Sequence, residues 1–527
     1  MLKRLYGFSF LYFLIASGIL YGVWSFSPPK KEEERRGFLH YEREPLSGLE
    51  QGVAQAFGPE MPPDLNAPVS PKLSVVSADI PFRQWLEELD LSEIQNLRRW
   101  ISEGKYENID SYLTQHYRAF EQYQRSDQDT ANLLDTISIL PDAPVYAARW
   151  AEKMPASPWP WIYLCNHYVD AAFYYRGTAY INKTPERRIK AMGEASEKAF
   201  SSCGKAAKIS PENILVHSFL VRMLKASGSE DLKLSIVNGG LKIRPCSEIL
   251  RGSYFGGILP QWGGTYEQVS EFRSDTMGYV EKCPWLKKYD GARDFWLAVA
   301  YDLQKKDEKA MQYYQDAAAR GSHGATDELA RRLHNDKHYD EAAELYYKNL
   351  KNAGAYDSSS YYEISRTLSA GSRRDESDRA LDVALYLYPY DPDYLRVKAT
   401  NLWNKKKFPE VEKTYEAAMY YGRYDEYVLA DYSDYLLTIK KDYPRAEKIL
   451  AQLNSLYPDK PNYIAKYAES FFRQRKCEAM GALKEYLRVC KSDAEGCSQE
   501  GVVYSRRTLA VLQGKECRSW KGKGLGE

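Results

Sequence analysis

The sequence predicts an all-α protein in which a membrane-spanning helix and a proline-rich linker precede a helical-hairpin domain and an array of helical repeats. Three observations support this fold class: an uncharged apolar run near the amino terminus, apolar residues at helical spacing from residue 79 onward, and small and aromatic residues that recur every 31 to 38 positions between residues 291 and 520. We expect the four regions to cover residues 1–27, 28–78, 79–290 and 291–520.

Composition and charge exclude several functional classes. The chain has 527 residues, 44% of them hydrophobic, with 73 Lys and Arg against 72 Asp and Glu. The hydrophobic content is that of a globular protein, and the length allows more than one domain. The near-zero net charge excludes a polybasic nucleic-acid binder as a description of the whole chain, so we expect no nucleic-acid partner.

The first 27 residues predict a membrane anchor. Lys3 and Arg4 precede an apolar run, residues 5–26, that contains no charged side chain. About 20 apolar residues in a helix suffice to cross the hydrocarbon core of a bilayer. A cleaved signal peptide is the alternative, but its nearest cleavage-like string, Ala16-Ser17-Gly18, lies inside the apolar run. We therefore expect a single-pass protein of the inner (cytoplasmic) membrane.

Charges on the two sides of the predicted span disagree about its orientation. Lys3 and Arg4 favour an amino terminus in the cytoplasm, whereas Lys30, Lys31 and the arginines at 35 and 36 lie just beyond the span. The positive-inside rule counts Lys and Arg on each side, so the orientation has to be decided by the cysteines.

Residues 28–78 predict a flexible linker. They contain 8 of the 25 prolines and show no helical or alternating apolar pattern. A segment of this kind buries too little apolar surface to order itself and acts as a tether. A proline-rich docking segment is the alternative.

The middle region, residues 79–290, shows helical periodicity. Phe82, Trp85 and Leu86 are spaced for one helical face. Residues 159–180 and 184–208 predict two longer helices in a hairpin, in which Thr184 is the N-cap and Pro185 occupies the first helical position of the second helix.

One string in this region has a specific local composition. Pro260, Trp262, Gly263 and Gly264 lie in the string Pro-Gln-Trp-Gly-Gly-Thr. This string resembles the P-R-W-G-G-S string of a bacterial domain family of unknown function, from which it departs at Gln261 and Thr265. The resemblance covers about residues 80–290 and implies a helical fold but no activity. We expect the glycines to form a turn, Thr265 to cap the next helix, and Trp262 to anchor the turn to the core. An enzyme site near Trp262 is the alternative.

The C-terminal region contains an internal repeat. A small residue is followed by a second small residue about 12 positions later and then by an aromatic residue, as in Ala298, Ala310 and Tyr314. The second small position recurs at Ala310, Ala342, Ala380, Val411, Ala446 and Ala479. The pattern resembles the tetratricopeptide repeat, and its variable steps resemble the related Sel1-like repeat. The resemblance implies stacked helix-turn-helix units with a concave face lined by the first helix of each unit. The step from Ala342 to Ala380 is long, so we expect a distorted repeat there.

The expected concave face is the candidate partner-binding site for a protein or peptide. Alignment on the turns places six residues on it: Arg396, Thr400, Trp403, Asp431, Tyr435 and Thr438. In addition, 26 of the 44 tyrosines lie between residues 291 and 520. Tyrosine is favoured at interfaces because it offers a large contact area at a low cost in side-chain entropy.

The eight cysteines predict four disulfides. Cys165 and Cys203 lie at similar distances from the turn of one predicted hairpin. In the C-terminal helices, antiparallel packing places Cys490 near Cys497 and Cys477 near Cys517. Cys246 and Cys283 form the fourth pair by elimination. Four bridges favour an oxidising compartment, and we therefore expect the body to lie on the periplasmic side of the membrane. Eight free thiols in a cytoplasm-facing adaptor are the alternative.

No established catalytic motif is present. The sequence lacks the nucleophile-elbow, phosphate-loop and dinucleotide fingerprints, and it contains no zinc-ligand spacing. We expect no catalytic residue, no cofactor and no metal. The resulting hypothesis is a membrane-tethered helical-repeat scaffold, not an enzyme, that binds a protein partner at a cell envelope.

Overall fold

The computed structural model of the protein describes residues 80–138, 140–177, 184–224, 230–492, 497–513 and 517. These residues form 24 α-helices and no β-strand. None of these helices is long and apolar enough to cross a bilayer. The predicted anchor, residues 5–26, and the predicted linker, residues 28–78, lie outside the described residues.

Eleven helices form the N-terminal half of the described chain. They are α1 (Phe82–Glu88), α2 (Ser92–Ser102), α3 (Tyr106–Glu121), α4 (Asp127–Ser138), α5 (Ala143–Lys153), α6 (Trp159–Arg176), α7 (Glu186–Ile209), α8 (Ile214–Leu224), α9 (Glu230–Ile243), α10 (Glu248–Gly257) and α11 (Tyr266–Met277). The predicted hairpin of residues 159–208 corresponds to α6 and α7. Its first helix ends at Arg176, because Gly177 adopts a positive φ of 66°. The second helix begins one residue later than predicted, so Pro185, and not Thr184, is the N-cap of α7.

Six helical hairpins and a final helix form the C-terminal half. The hairpins pair α12 (Ala292–Leu303) with α13 (Asp307–Ala319), α14 (His323–Asn335) with α15 (Tyr339–Ala353), α16 (Ser358–Ala370) with α17 (Arg374–Leu387), α18 (Pro392–Asn404) with α19 (Phe408–Gly422), α20 (Glu426–Tyr435) with α21 (Tyr443–Leu456), and α22 (Pro461–Arg473) with α23 (Ala479–Val489), and α24 (Gln499–Val511) follows them.

The predicted repeat positions lie at the contacts between paired helices. Ala298, Ala310 and Tyr314 belong to one buried cluster of the first hairpin, and the first two have no exposed surface. The recurring second small residues are likewise fully buried: Ala310, Ala342, Ala380, Val411, Ala446 and Ala479. Small side chains at these positions allow the two helices of each hairpin to approach closely.

The third hairpin is regular, contrary to the expectation of a distorted repeat. Ser377 is the fourth residue of α17, as Ala342 is the fourth of α15, whereas Ala380 is the seventh. Ser377 is 1% exposed and Ser365, twelve positions earlier, is fully buried. Their hydroxyl oxygens lie 3.2 Å apart across the hairpin. Ser365 and Ser377 therefore occupy the two small-residue positions of the third hairpin. With Ser377 in place of Ala380, the spacing to the second hairpin is no longer unusually long.

The fifth hairpin contains one additional residue. A π-helical turn, Leu436–Lys440, follows α20. Such a turn accommodates a single-residue insertion within a helix. Its small residue, Ser433, is fully buried and precedes Ala446 by thirteen positions instead of twelve. The insertion shifts the register of the last turn of this helix relative to the fourth hairpin.

The turn inside each hairpin uses a left-handed residue. A non-glycine residue with positive φ follows the first helix of all six hairpins: Lys305, Lys337, Ser372, Lys406, Lys441 and Arg475. A left-handed residue just after a helix is a common way to end it. The repeated conformation shows that the six hairpins share one turn geometry.

The cysteines are paired as the helix pattern predicts. The Cα atoms are 5.0 Å apart for Cys165–Cys203, 5.9 Å for Cys246–Cys283, and 5.6 Å for both Cys477–Cys517 and Cys490–Cys497. All four separations lie in the range of a disulfide. Two bridges thus lie in the N-terminal half and two at the C-terminal end of the repeats.

Candidate functional site

The predicted partner-binding face centres on Arg396. Its guanidinium Nη1 lies 3.1 Å from Asp431 Oδ2 on the next hairpin and its Nη2 lies 3.5 Å from Asp393 Oδ1. Its Cζ also lies 5.7 Å from the ring centre of Tyr427, whose side chain is 61% exposed. We call Asp393, Arg396, Tyr427 and Asp431 the Arg396 surface. It is formed by the first helices of two successive hairpins.

The electrostatics of this surface keep Arg396 charged. Burial opposes the charge, but Tyr362, Asp431 and Asp393 together raise the pKa of Arg396 above its ordinary value. Burial and the neighbouring Asp425 raise the pKa of Asp393. The surface therefore presents one fixed cation between carboxylates, beside an exposed aromatic ring.

The other predicted residues differ in their accessibility. The Thr400 hydroxyl donates to the Arg396 carbonyl at 3.0 Å, and the Thr438 hydroxyl donates to the Asp434 carbonyl at 2.6 Å. Trp403 is half-buried, and its ring centre is 5.8 Å from that of Tyr435. Tyr435 is only 1% exposed, and its hydroxyl donates to the Phe408 carbonyl at 3.0 Å.

The burial of Tyr435 follows from the π-helical turn. The prediction placed each residue of the fifth hairpin 35 positions after its counterpart in the fourth hairpin. The inserted residue lies at the end of the first helix of the fifth hairpin. Before the insertion, equivalent residues of the fourth and fifth hairpins are therefore 34 positions apart, as are their N-caps Asp391 and Asp425. Asp434, not Tyr435, therefore occupies the position of Thr400. The Asp434 carboxylate is 34% exposed and pairs with Lys466 at 2.6 Å.

The turn that contains Trp262 is tightly built, but the indole is not in the core. Gly263 has φ +84°, and a Cβ on Gly264 would collide with the Ile258 carbonyl. The side chains of Thr265 and Gln268 form the predicted cap of α11 as a complete capping box. Trp262 itself is 44% exposed, which corrects the expectation that it anchors the turn. Its ring centre lies 5.9 Å from the Arg176 guanidinium.

Two open clefts lie elsewhere on the described part of the chain. One, of about 300 Å³, lies beside the first turn of α17, and the other, of about 250 Å³, lies between the first two hairpins. Neither contains Trp262 or a residue of the Arg396 surface. Among the described side chains, no three His, Cys, Asp or Glu residues converge as ligands for a metal ion.

A second interface, which the sequence analysis did not predict, joins the N-terminal helices to the repeats. We call it the seam. At one end, the fully buried Trp85 of α1 donates its indole N–H to the Tyr361 hydroxyl at 2.8 Å. Phe82 packs edge-on against Tyr347, with ring centres 5.3 Å apart. The Tyr347 hydroxyl donates to the Ile80 carbonyl at 2.8 Å.

A half-buried arginine, Arg98, and a buried one, Arg188, extend the seam along the loops between hairpins. Arg98 of α2 donates to the carbonyls of Thr136 at 2.7 Å and Leu387 at 2.9 Å. Arg188 of α7 donates to the Tyr424 carbonyl at 2.9 Å and to the Tyr457 hydroxyl at 3.1 Å. A Cβ on Gly177 would collide with the Arg188 guanidinium, so the glycine that ends α6 also makes room for this contact.

A sequence signal for the seam exists. The dipeptide Tyr-Asp occurs six times in the chain, and three of these occurrences, at residues 356, 390 and 424, are 34 positions apart; Tyr457 follows 33 positions later. In these three dipeptides the aspartate is the N-cap of the next helix. Tyr356 donates to Glu93 of α2, and the ring of Tyr424 packs against Tyr175 of α6. The recurring tyrosines thus serve an interface inside the chain, which accounts for part of the tyrosine surplus.

Comparisons with known proteins give no family. No family model and no curated protein matches the chain. Among solved structures, the chain is similar to the crystal structure of the APC/C hetero-tetramer Cut9–Hcn1, with 13% identity over 80% of this chain and 89% of that chain and a TM-score of 0.40. It is also similar to yeast Tom70, with 12% identity over 82% and 98% of the two chains and a TM-score of 0.37. A third similar structure is the TPR domain of P58(IPK), with 15% identity over 62% and 97% and a TM-score of 0.23. All three scores lie below 0.5, so the assignment of helical hairpins rests on the helix pairs described above.

Proposed function

We propose that this protein is a helical-repeat scaffold that binds a protein or peptide partner through the Arg396 surface. The observation that carries this proposal is the exposed ring of Tyr427 beside a paired but partly accessible guanidinium, on the first helices of two hairpins. Exposed aromatic and arginine side chains are enriched among the residues that dominate binding energy at protein interfaces. Thr400 and Trp403 lie on the same helix as Arg396, Thr438 follows the helix that carries Tyr427, and Tyr435 is buried.

We further propose that the scaffold is held at an inner membrane by residues 5–26 and works on the periplasmic side of a cell envelope. The apolar run and the absence of charge within it support the anchor. The pairing of all eight cysteines supports an oxidising compartment. A cytoplasm-facing adaptor remains the alternative, and alkylation of the native protein without reductant distinguishes the two. Few or no alkylated thiols are expected on the periplasmic side, and eight would reverse the orientation.

The role we propose is binding and not catalysis. The alternative enzyme site near Trp262 requires converging acid, base or nucleophilic groups around the indole. Trp262 is 44% exposed and its ring contacts the Arg176 guanidinium, and no specific observation favours the enzyme over the scaffold.

Photo-crosslinking from two matched tyrosines tests the binding surface. A photoreactive residue replaces Tyr427, which is 61% exposed, or Tyr504 on the final helix, which is 64% exposed, in the full chain in its native membrane. We expect a discrete crosslinked protein from position 427 that is absent from position 504. The same crosslink should disappear in Arg396→Gln, which removes the guanidinium without adding a third carboxylate beside Asp393 and Asp431, while the melting temperature stays close to that of the parent. Identical crosslinks from both tyrosines, or a crosslink that survives Arg396→Gln, would refute the assignment of this surface.

A further inference from the structure

The final helix, α24, has an apolar outer face that the other described residues leave exposed. Val503, Tyr504 and Val511 are 46%, 64% and 50% exposed. They are three of the nine large apolar side chains that the described residues expose, although α24 contains only 13 residues. The outermost helix of a repeat array usually presents a polar outer face, because no further repeat covers it. The outer face of α24 is therefore unusual for a helix that only caps the array.

The opposite face of α24 already packs against the last hairpin. Leu512 belongs to a buried cluster formed with α22 and α23, and Leu509 packs against it. Val502 packs against a second cluster that contains Tyr486. A Cβ on Gly501 would collide with the Tyr486 hydroxyl, so the first turn of α24 approaches α23 closely. The exposed apolar side chains are thus not the ones that hold α24 in place.

Two disulfides fix α24 at both of its ends. The Cys490–Cys497 bridge lies just before the N-cap residue, Ser498, and Cys477–Cys517 lies beyond the last turn. A helix held in this way loses little further conformational freedom when its outer face binds another molecule. The outer face of α24 is therefore preorganised for binding.

The outer face also carries one acidic and one basic side chain. At 3.6 residues per turn, one stripe along α24 contains Glu500, Val503, Tyr504, Arg507 and Val511. We call these five residues the outer stripe. Glu500 and Arg507 are exposed, and neither forms an ion pair with another described residue. They lie about two helical turns apart, with Val503 and Tyr504 between them.

The outer stripe is complementary to itself when two copies of α24 pack antiparallel. If Val503 of each copy faces Tyr504 of the other, the same register places each Glu500 opposite Arg507 of the other copy. Two ion pairs then flank an apolar centre, which is the reciprocal pattern of a two-fold interface. A parallel pair in register would instead place each charge opposite a like charge, which is unfavourable.

We propose that α24 is a self-association surface on which a second copy of this chain packs antiparallel along the outer stripe. The complementary charges of the stripe favour a second copy as the occupant. This surface is separate from the Arg396 surface and does not depend on the proposed function. One pair of helices buries less than the roughly 1,600 Å² of a standard stable interface, so we expect a weak dimer.

Charge reversal in the full chain, solubilised in detergent, tests this arrangement by sedimentation equilibrium. The parent should show a concentration-dependent equilibrium between monomer and dimer. Glu500→Arg and Arg507→Glu each place two pairs of like charges in the dimer, so each should weaken association by about tenfold or more. An equimolar mixture of the two variants should dimerise like the parent, because each variant supplies the charge that the other lacks.

Arg506→Glu is the matched control for these variants. It makes the same change in net charge as Arg507→Glu, at an exposed arginine that lies outside the outer stripe. This variant should dimerise like the parent. All the substituted residues are exposed, so the melting temperature of each variant should stay close to that of the parent.

Photo-crosslinking from position 504 of the full chain distinguishes a second copy from other occupants. We expect a covalent dimer with twice the mass of the chain. Crosslinks only to residues 518–527 of the same chain, or only to different proteins, would overturn the proposal. A parent that stays monomeric up to about 100 μM, single variants that associate like the parent, or a mixture that stays monomeric would overturn it as well.

Discussion

Removing the Trp85 indole should destabilise the protein more than the short length of α1 suggests. Trp85 has no exposed surface, and truncating a fully buried tryptophan to alanine costs about 3–5 kcal/mol. The Tyr361 hydroxyl also loses its donor at 2.8 Å, which adds about 1 kcal/mol. We therefore expect Trp85→Ala to lower the free energy of unfolding by about 5 kcal/mol.

Two further substitutions separate the parts of this effect. Trp85→Phe keeps most of the apolar contact and removes the hydrogen bond, so it should cost about 1–2 kcal/mol. Trp262→Ala is the control at a half-buried tryptophan, because the residue is 44% exposed, and it should lower the free energy of unfolding by about 1–2 kcal/mol, well below the cost of Trp85→Ala.

Urea unfolding with intact disulfides measures all three variants. Hydrogen exchange locates the loss, which should appear in α1 and around Tyr347 and Tyr361 before it appears in the last two hairpins. A Trp85→Ala protein within 1 kcal/mol of the parent, or a Trp262→Ala protein as unstable as Trp85→Ala, would refute the assignment of α1 as an anchor of the seam.

Two further predictions concern the hairpins and their bridges. Lys337 has φ +68°, a left-handed conformation that is strained for a residue with a Cβ. Lys337→Gly should therefore raise the free energy of unfolding by about 1 kcal/mol, whereas Lys337→Ala should give no gain. Urea unfolding of the two variants measures this difference. Replacing Cys477 and Cys517 by serine opens a loop of 40 residues and should cost about 4 kcal/mol. The same change at Cys490 and Cys497 opens only 7 residues and should cost about 2 kcal/mol, so the reverse order in urea would contradict the chain-entropy argument.

The periodic part of the fold could be read from the sequence because each hairpin repeats one local packing problem. Ala310, Ala342 and Val411 are small and recur at intervals close to one or two repeat lengths, and they are buried as expected. The third hairpin was misaligned because two serines replace alanines there. Serine is as small as the site requires, but a search for apolar residues passes over Ser365 and Ser377.

Long-range contacts could not be read in the same way. Trp85 and Tyr361 are 276 positions apart, and helical periodicity shows that each has a buried face but not which residue covers it. The recurring Tyr-Asp dipeptide was a visible signal, yet its tyrosines contact α2, α6 and α7, which have no matching period. Tyr435 was misplaced for a different reason, because a π-helical turn inserts one residue without a recognisable sequence mark.

The position of α1 determines how mechanical load enters the protein. The described structure begins at Ile80, whose carbonyl accepts a hydrogen bond from the Tyr347 hydroxyl. Five residues later, the Trp85 indole N–H donates to the Tyr361 hydroxyl. Tension on any upstream segment is therefore transmitted to the second and third hairpins before it reaches α2. The repeats would bear such a pull directly, and the N-terminal helices would be spared until these two tyrosine contacts rupture.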